Sequence, residues 1–306
     1  MDRIMEVMMK RKLILWAGVL AMVGAALALS GCVEIPIHEA TRVLEGSFEV
    51  AGAVDLDVST SNGRATVRGV EGQTSVEVIA TLRSRGDSLI GAANRAAQIV
   101  VEMIHDGNHV VLSYDAGDHP WDVRRYSGVD FEITVPTTVD VEVDTSNGRI
   151  EVAGVTAILD LHTSNGAIAV SDVVGELDAS TSNGTITIDT FEGILDLDTS
   201  NGRIEMENIA GVVDVQTSNG NIVFSGMLVD GSDHRMITSN GRIDLALRSD
   251  ASLIIEARTS NASINTDLLL IGDTEGKEWN AVLNPPATAM LTLETSNGGI
   301  EILGIL

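Results

Sequence analysis

The chain of 306 residues holds a single cysteine, Cys32, so no disulfide can form within it. Aromatic residues make up 3% of a composition that is 44% apolar, a balance that suits a narrow aliphatic core. Basic residues are scarce too, 19 against 44 acidic, for a formal net charge of −25. Such an excess excludes nucleic acid and anionic membrane surfaces as partners and favours cations or basic partners, and it also serves solubility in a salty medium. Catalytic signatures are missing: there is no Gly-x-Ser-x-Gly, no phosphate-binding glycine loop, no His-Glu-x-x-His and no usable cysteine nucleophile. These absences point to a non-enzymatic protein.

What the sequence has is a repeat. Thr-Ser-Asn-Gly recurs with its asparagine at Asn62, Asn147, Asn165, Asn183, Asn201, Asn219, Asn240, Asn261 and Asn297, and only the copy at Asn261 has Ala262 in place of glycine. From Asn147 to Asn219 the step is 18 residues, then 21, 21 and 36. A fixed period of this size means stacked units, none of which buries its apolar face alone. Two residues before each threonine stand Val58, Val143, Leu161, Ala179, Leu197, Val215, Met236, Ala257 and Leu293, all apolar. Apolar residues recur four before it and, after the glycine, at pairs such as Ile150 and Val152, or Ile204 and Met206. This alternation predicts two short strands per unit, joined at the Asn-Gly corner and at a second corner marked by Gly175, Gly193 and Gly211.

Helix is excluded by segments that are short, rich in Val, Ile and Thr, and broken by Asn-Gly. Antiparallel hairpins are the competing arrangement, since Asn-Gly is a strong hairpin signal. Identity from unit to unit favours a parallel stack, with like residues about 4.8 Å apart. The fold class is therefore all-β, a parallel β-solenoid of 18–21-residue coils with a small α+β insertion or N-terminal cap. Carrying the strand phase through the threonine places the asparagines on the inner face, as a structural ladder in which each amide bonds its neighbour and the turn backbone.

Taken in order, residues 1–31 read as an export signal: Lys10, Arg11 and Lys12 precede an apolar run from Leu13 to Leu29. The acidic stretch before them suggests translation from Met8 or Met9. Leu29-Ser30-Gly31-Cys32 resembles the lipobox of bacterial lipoproteins, which implies cleavage before Cys32 and lipidation there. Val33 in place of aspartate points to the outer membrane. Cleavage leaves 15 basic and 42 acidic residues, with Lys277 the only lysine. Residues 32–46 read as the lipidated cysteine and a tether, and 47–70 as the first coil. Residues 71–137 read as an insertion or cap, with helical spacing at Leu89, Ala93, Ala96 and Val100 and a hairpin about Asp106-Gly107-Asn108. Residues 138–306 read as the solenoid, with a loop at 271–287 that carries Trp279. Its apolar last strand is either covered by that loop or a surface for self-association through the solenoid end.

The sharpest non-core feature is a carboxylate row. Three residues before successive threonines stand Glu142, Asp160, Asp178, Asp196 and Asp214, preceded by Asp57 and followed by Arg235 and Glu256. Unit charges about 4.8 Å apart repel by roughly 0.9 kcal/mol even in water, so the row is costly unless neutralised. The row reads first as a solvated acidic face that needs no cofactor; the alternative is calcium, which regular oxygen ligands suit. Arg64, Arg149, Arg203 and Arg242 follow the glycine, and Glu151, Glu205 and Asp244 lie two residues beyond the last three, a pattern of surface ion pairs. His105, Asp106, His109, Asp118 and His119 are candidate ligands for a transition metal, though without tight spacing. His234 falls on the inward phase, as a bulge or a satisfied core histidine.

The repeated Thr-Ser-Asn-Gly-x-Ile-x-Val, with its late break between Asn261-Ala-Ser-Ile264 and Glu294-Thr-Ser-Asn-Gly-Gly-Ile300, resembles the bacterial putative-adhesin family of β-strand-repeat proteins. The likeness covers about residues 47–306. It implies a β-solenoid in the cell envelope and supplies no catalytic residues. The expectation is a membrane-anchored lipoprotein of the outer membrane or cell surface that presents its solenoid to an envelope protein or glycan. The alternative is a carbohydrate-active β-helix enzyme. Carboxylates clustered at a groove favour the enzyme, and an even ladder favours a scaffold.

Overall fold

The computed structural model describes residues 38–115 and 127–305. The export signal, Cys32, the first tether residues, Asp118 and His119 lie outside the described residues. Among the described residues there are 22 strands and one helix. In β10 (Thr156–Thr163), Ala157, Leu159, Leu161 and Thr163 are buried and the residues between them face outward, as the period of two requires. β11 (Ile168–Thr181), β12 (Ile186–Thr199) and β13 (Ile204–Thr217) each start after a corner glycine, turn the second corner midway and run on into the next threonine. At that second corner Asp172, Thr190 and Asn208 take φ of 55°, 58° and 56°, the left-handed region in which asparagine and aspartate are the least costly non-glycine residues.

The coils stack parallel and in register. Asp160, Asp178, Asp196 and Asp214 are successive partners on one face, and Ile168, Ile186, Ile204 and Ile222 on the other. Apolar residues from both faces meet in one aliphatic core. Burying each valine, leucine or isoleucine there contributes about 1.5–3 kcal/mol.

The corner is held by its threonine. Thr199 Oγ1 donates to the Gly184 carbonyl at 3.3 Å and accepts the Gly202 N–H at 3.1 Å. The same pair of bonds recurs at Thr163, Thr181, Thr217, Thr238 and Thr295. Glycine is needed for close stacking, since a Cβ on Gly202 would lie 1.6 Å from the Gly184 oxygen. The Asn-Gly pair therefore marks a coil corner instead of a hairpin turn. The asparagines sit on the exposed side of the corner, contrary to the inward placement read from the strand phase. The chain leaves the strand after the threonine, so the alternation stops one residue before it would turn the asparagine inward.

The N-terminal end is closed by antiparallel strands. β2 (Val54–Thr60) and β3 (Ala65–Val70) form a coil that stacks on β8 (Val139–Thr145) and β9 (Ile150–Ala153). On its other side lie β6 (His109–Asp115) beside β2 and β7 (Ser127–Pro136) beside β3. β5 (Val100–Asp106) then pairs antiparallel with β6, and β4 (Ser75–Gly86) with β7. β1 (His38–Glu49) pairs with β4 along its whole length, so most of the segment read as a tether is strand: it has an exposed sheet edge to complete. The helix α1 (Leu89–Gln98), capped by Ser88, packs on β1 and β4. It buries Ala92 and Ala96 in place of the predicted stripe through Leu89 and Ala93, because small residues let it lie close to the sheet.

At the C-terminal end the chain departs from sequence order. β14 (Ile222–Leu228), β15 (Asp233–Thr238) and β16 (Ile243–Arg248) continue the stack. The next coil in space is the last in sequence, β21 (Ala289–Thr295) and β22 (Ile300–Ile305). Beyond it lie β17 (Leu253–Thr259) and β18 (Ile264–Thr266). The 36-residue step is thus a coil placed one level out, a hairpin of β19 (Ile271–Asp273) and β20 (Glu278–Leu283), and a return into the gap. β20 pairs antiparallel with β17 and buries Trp279. The hairpin therefore covers the β17 side of the coil of residues 253–266, while the final strand is flanked on both sides. Ala262 stands in that outermost coil, where no further described corner stacks on it.

Candidate functional site

Strand register brings the carboxylate row together as a line on one outer face. Asp57, Glu142, Asp160, Asp178, Asp196 and Asp214 are partners in turn. All but the first are exposed. Arg235 ends the run, with Nη1 3.5 Å from Asp214 Oδ1. Thr292 then separates it from Glu256, a gap created by the inserted last coil. His162 draws on Asp160, Nε2 to Oδ1 at 2.7 Å, and its Nδ1 is 2.6 Å from Ser180 Oγ. Asp196, mid-row, has its pKa raised by partial burial and then by the charges of Asp178, Asp214 and Asp198. The row is a line of mutually repelling charges.

Beside the row runs the asparagine ladder. Asn147 Nδ2 donates to Asn62 Oδ1 at 2.8 Å, and the pattern continues through Asn165, Asn183, Asn201 and Asn219. It passes on to Asn240, then Asn297, then Asn261, in the order of the stack. Several of these amides also reach a serine carbonyl of the neighbouring corner, as Asn201 does to Ser182 at 3.4 Å. On the opposite face Arg149, Arg203 and Arg242 pair with Glu151, Glu205 and Asp244. Arg242 also meets Glu301 of the inserted coil.

His105 and His109 lie on opposite faces of the β5–β6 hairpin, so the predicted histidine cluster does not assemble. His105 Nε2 turns to the Gly107 carbonyl at 2.6 Å and its ring packs on Phe48, with centroids 5.3 Å apart. His109 joins Asp55 and Asp57 instead. No sequence signal showed this, because the long gap after Asn62 hides that β6 lies beside β2. His234 is buried as a satisfied neutral ring. Its Nδ1 accepts the Val213 N–H at 3.4 Å and its Nε2 donates to the Val229 carbonyl at 3.0 Å. Burial lowers its pKa, against the opposing pull of the Val229 carbonyl and Asp233.

A cleft of about 1100 Å³ opens on the outer face of β3, β4 and β7 at the N-terminal end. Glu45, Glu49, Glu77, Glu132 and Glu151 border it, together with Arg64 and Arg68. Neither arginine side chain has a partner among the described residues. No helix of the described residues is long and apolar enough to cross a membrane.

Stacked parallel coils with threonine-locked glycine corners, closed by antiparallel strands at the N-terminal end and in part at the C-terminal end, define a β-solenoid. The chain belongs to the Toastrack DUF4097 family, whose model matches residues 74–303. It is similar in structure to a protein of Bacteroides fragilis described as a putative adhesin, with a TM-score of 0.46 and 15% identity, over 86% of this chain and 97% of that one. It is also similar to a protein of Clostridium sporogenes described as a putative cell adhesion protein, with a TM-score of 0.23 and 11% identity, over 86% of this chain and 100% of that one. No curated protein matches it in sequence.

Proposed function

We propose that this chain is an exported lipoprotein, anchored through Cys32, whose solenoid stands off the membrane as a non-enzymatic surface for adhesion or scaffolding. The observation that carries the reading is the carboxylate row, Glu142 to Asp214, exposed and in register on five successive coils. A row of like charges evenly spread over rigid coils is a surface for multivalent contact. It is poorly suited to a single reaction centre. Calcium bridging successive carboxylates would relieve the repulsion and present a divalent face to an anionic envelope glycan or protein. The Leu29-Ser30-Gly31-Cys32 motif supports the membrane anchor, and Val33 in place of aspartate supports the outer membrane as its location.

Two measurements test this. Cys32→Ser should abolish labelling by radioactive fatty acid; a chain that is still labelled contradicts the anchor. The purified lipoprotein should retain envelope polysaccharide or envelope protein on a calcium-loaded surface, release it into chelator, and lose retention in Asp160→Asn/Asp178→Asn/Asp196→Asn. Retention indifferent to both changes would contradict the row as the binding face. The cleft favours a second reading, a carbohydrate-active enzyme, because glutamates border a groove there. Shortening of the polysaccharide, abolished in Glu77→Gln or Glu132→Gln, would establish that reading in place of the first.

A further inference from the structure

We propose that Asp55, Asp57 and His109 form a site for a divalent first-row transition metal of the zinc class, at the N-terminal end of the stack where the carboxylate row begins with Asp57. Asp55 and Asp57 are two apart on β2, so both carboxylates leave the same outer face. His109 on β6 is the register partner of Asp55. Its Nε2 lies 2.9 Å from Asp57 Oδ2 and 3.9 Å from Asp55 Oδ2. Among the described residues this is the one group in which three such ligand atoms lie within 4.8 Å of one another.

The scaffold is rigid where it matters. β2 has a parallel neighbour on each side, β6 and β8. The hairpin that places His109 is pinned to the coil by Asn108, whose side chain accepts the Ala51 N–H at 2.9 Å and donates to the Ala51 carbonyl at 2.6 Å. Neither aspartate has an arginine or lysine partner among the described residues, so a cation would displace no internal ion pair other than that with the imidazole. Asp140, one coil on from Asp55, adds negative potential without entering the group, its Oδ1 held by the Ile158 N–H at 3.1 Å.

The donor set chooses the metal. An imidazole nitrogen with two carboxylate oxygens suits zinc, manganese or cobalt, whereas calcium takes six to eight oxygens and no imidazole. Three protein ligands on a solvent-facing surface leave coordination positions open for water or for a donor from a partner molecule. The site is thus suited to bridging, with the metal held by this chain and completed from outside.

The test is titration of the full-length lipoprotein with zinc chloride, followed by calorimetry, and with cobalt(II), followed by its visible absorption, at pH 7.5 in buffer free of chelator. One equivalent of each should bind, with the cobalt spectrum showing nitrogen ligation. His109→Ala and Asp55→Asn/Asp57→Asn should each weaken zinc by at least about tenfold. His109→Gln, which keeps a hydrogen bond to Asp57, should lose the metal while keeping the metal-free melting temperature. Asp160→Asn/Asp178→Asn/Asp196→Asn should leave zinc binding unchanged, which separates this site from the rest of the row. Absence of stoichiometric binding, or binding equally tight in the His109 and aspartate variants, would overturn the proposal.

Discussion

Thr199 shows what one side chain does in six of the coils. Its hydroxyl satisfies a carbonyl of the coil below and an N–H of its own corner, both out of reach of water. Thr199→Val keeps the shape and removes both bonds, so it should cost about 1–3 kcal/mol, seen as a lower midpoint in denaturant. Asp196 has the opposite effect on stability. Its folded pKa lies above the ordinary 3.8, so the folded protein holds its proton to higher pH than the unfolded chain does. Stability from this group is therefore greatest in acid and declines as pH rises through the folded pKa. Asp196→Asn should raise the melting temperature at pH 7, with the gain fading as pH falls through the folded pKa towards 3.8 and shrinking in high salt. A fall at pH 7 would mean that the row is already neutralised by something the side chain holds.

At the scale of the coil, stacking distance governs. Gly202 has no left-handed φ, so alanine there would ordinarily stabilise by about 0.4–1 kcal/mol through the unfolded chain. Here the added Cβ meets a backbone oxygen at 1.6 Å, and neighbouring coils would have to separate. Gly202→Ala should therefore destabilise strongly. Of the two threonine bonds, the Ala262 corner keeps only that from the Thr259 hydroxyl to the Gly298 carbonyl. The 21-residue coil with its loop before β15 uses His234 to close the gap. His234→Leu matches the leucine at the equivalent Leu291 but leaves two polar backbone groups unpaired, so it should be less stable at pH 7.5. Because burial depresses the wild-type pKa, the wild type loses stability as pH falls below 6.5 towards the folded value. The difference between the two proteins should narrow over that range in parallel thermal melts.

Strands and coil period were legible because alternation and an 18-residue step leave few alternatives. The carboxylate row followed from the same counting. The outward asparagines were not legible, since two corner residues interrupt the phase on which the inward reading rested. Nor was the position of β21 and β22: a step length records how much chain is used, not which gap it returns to. The Asp55, Asp57 and His109 group stayed hidden for a related reason, because its histidine sits at least 52 residues from its aspartates, joined to them only by the pairing of β2 with β6.

For the whole molecule, the two ends set the limits of the stack. Antiparallel β4 and β5 close one end, and β20 covers β17 at the other, so no parallel strand can add across those positions. The body between is a rigid acidic column in which one face carries an ordered line of carboxylates. Function on this account depends on a cation meeting that line. The direct measurement is thermal unfolding of the full-length protein in millimolar calcium and in chelator, for wild type and for Asp160→Asn/Asp178→Asn/Asp196→Asn. Calcium should raise the wild-type midpoint by about 2–4 °C for each kcal/mol of binding. It should leave the triple variant unmoved, and that variant should be the more stable of the two in chelator. Equal midpoints of the wild type with and without calcium would contradict the account.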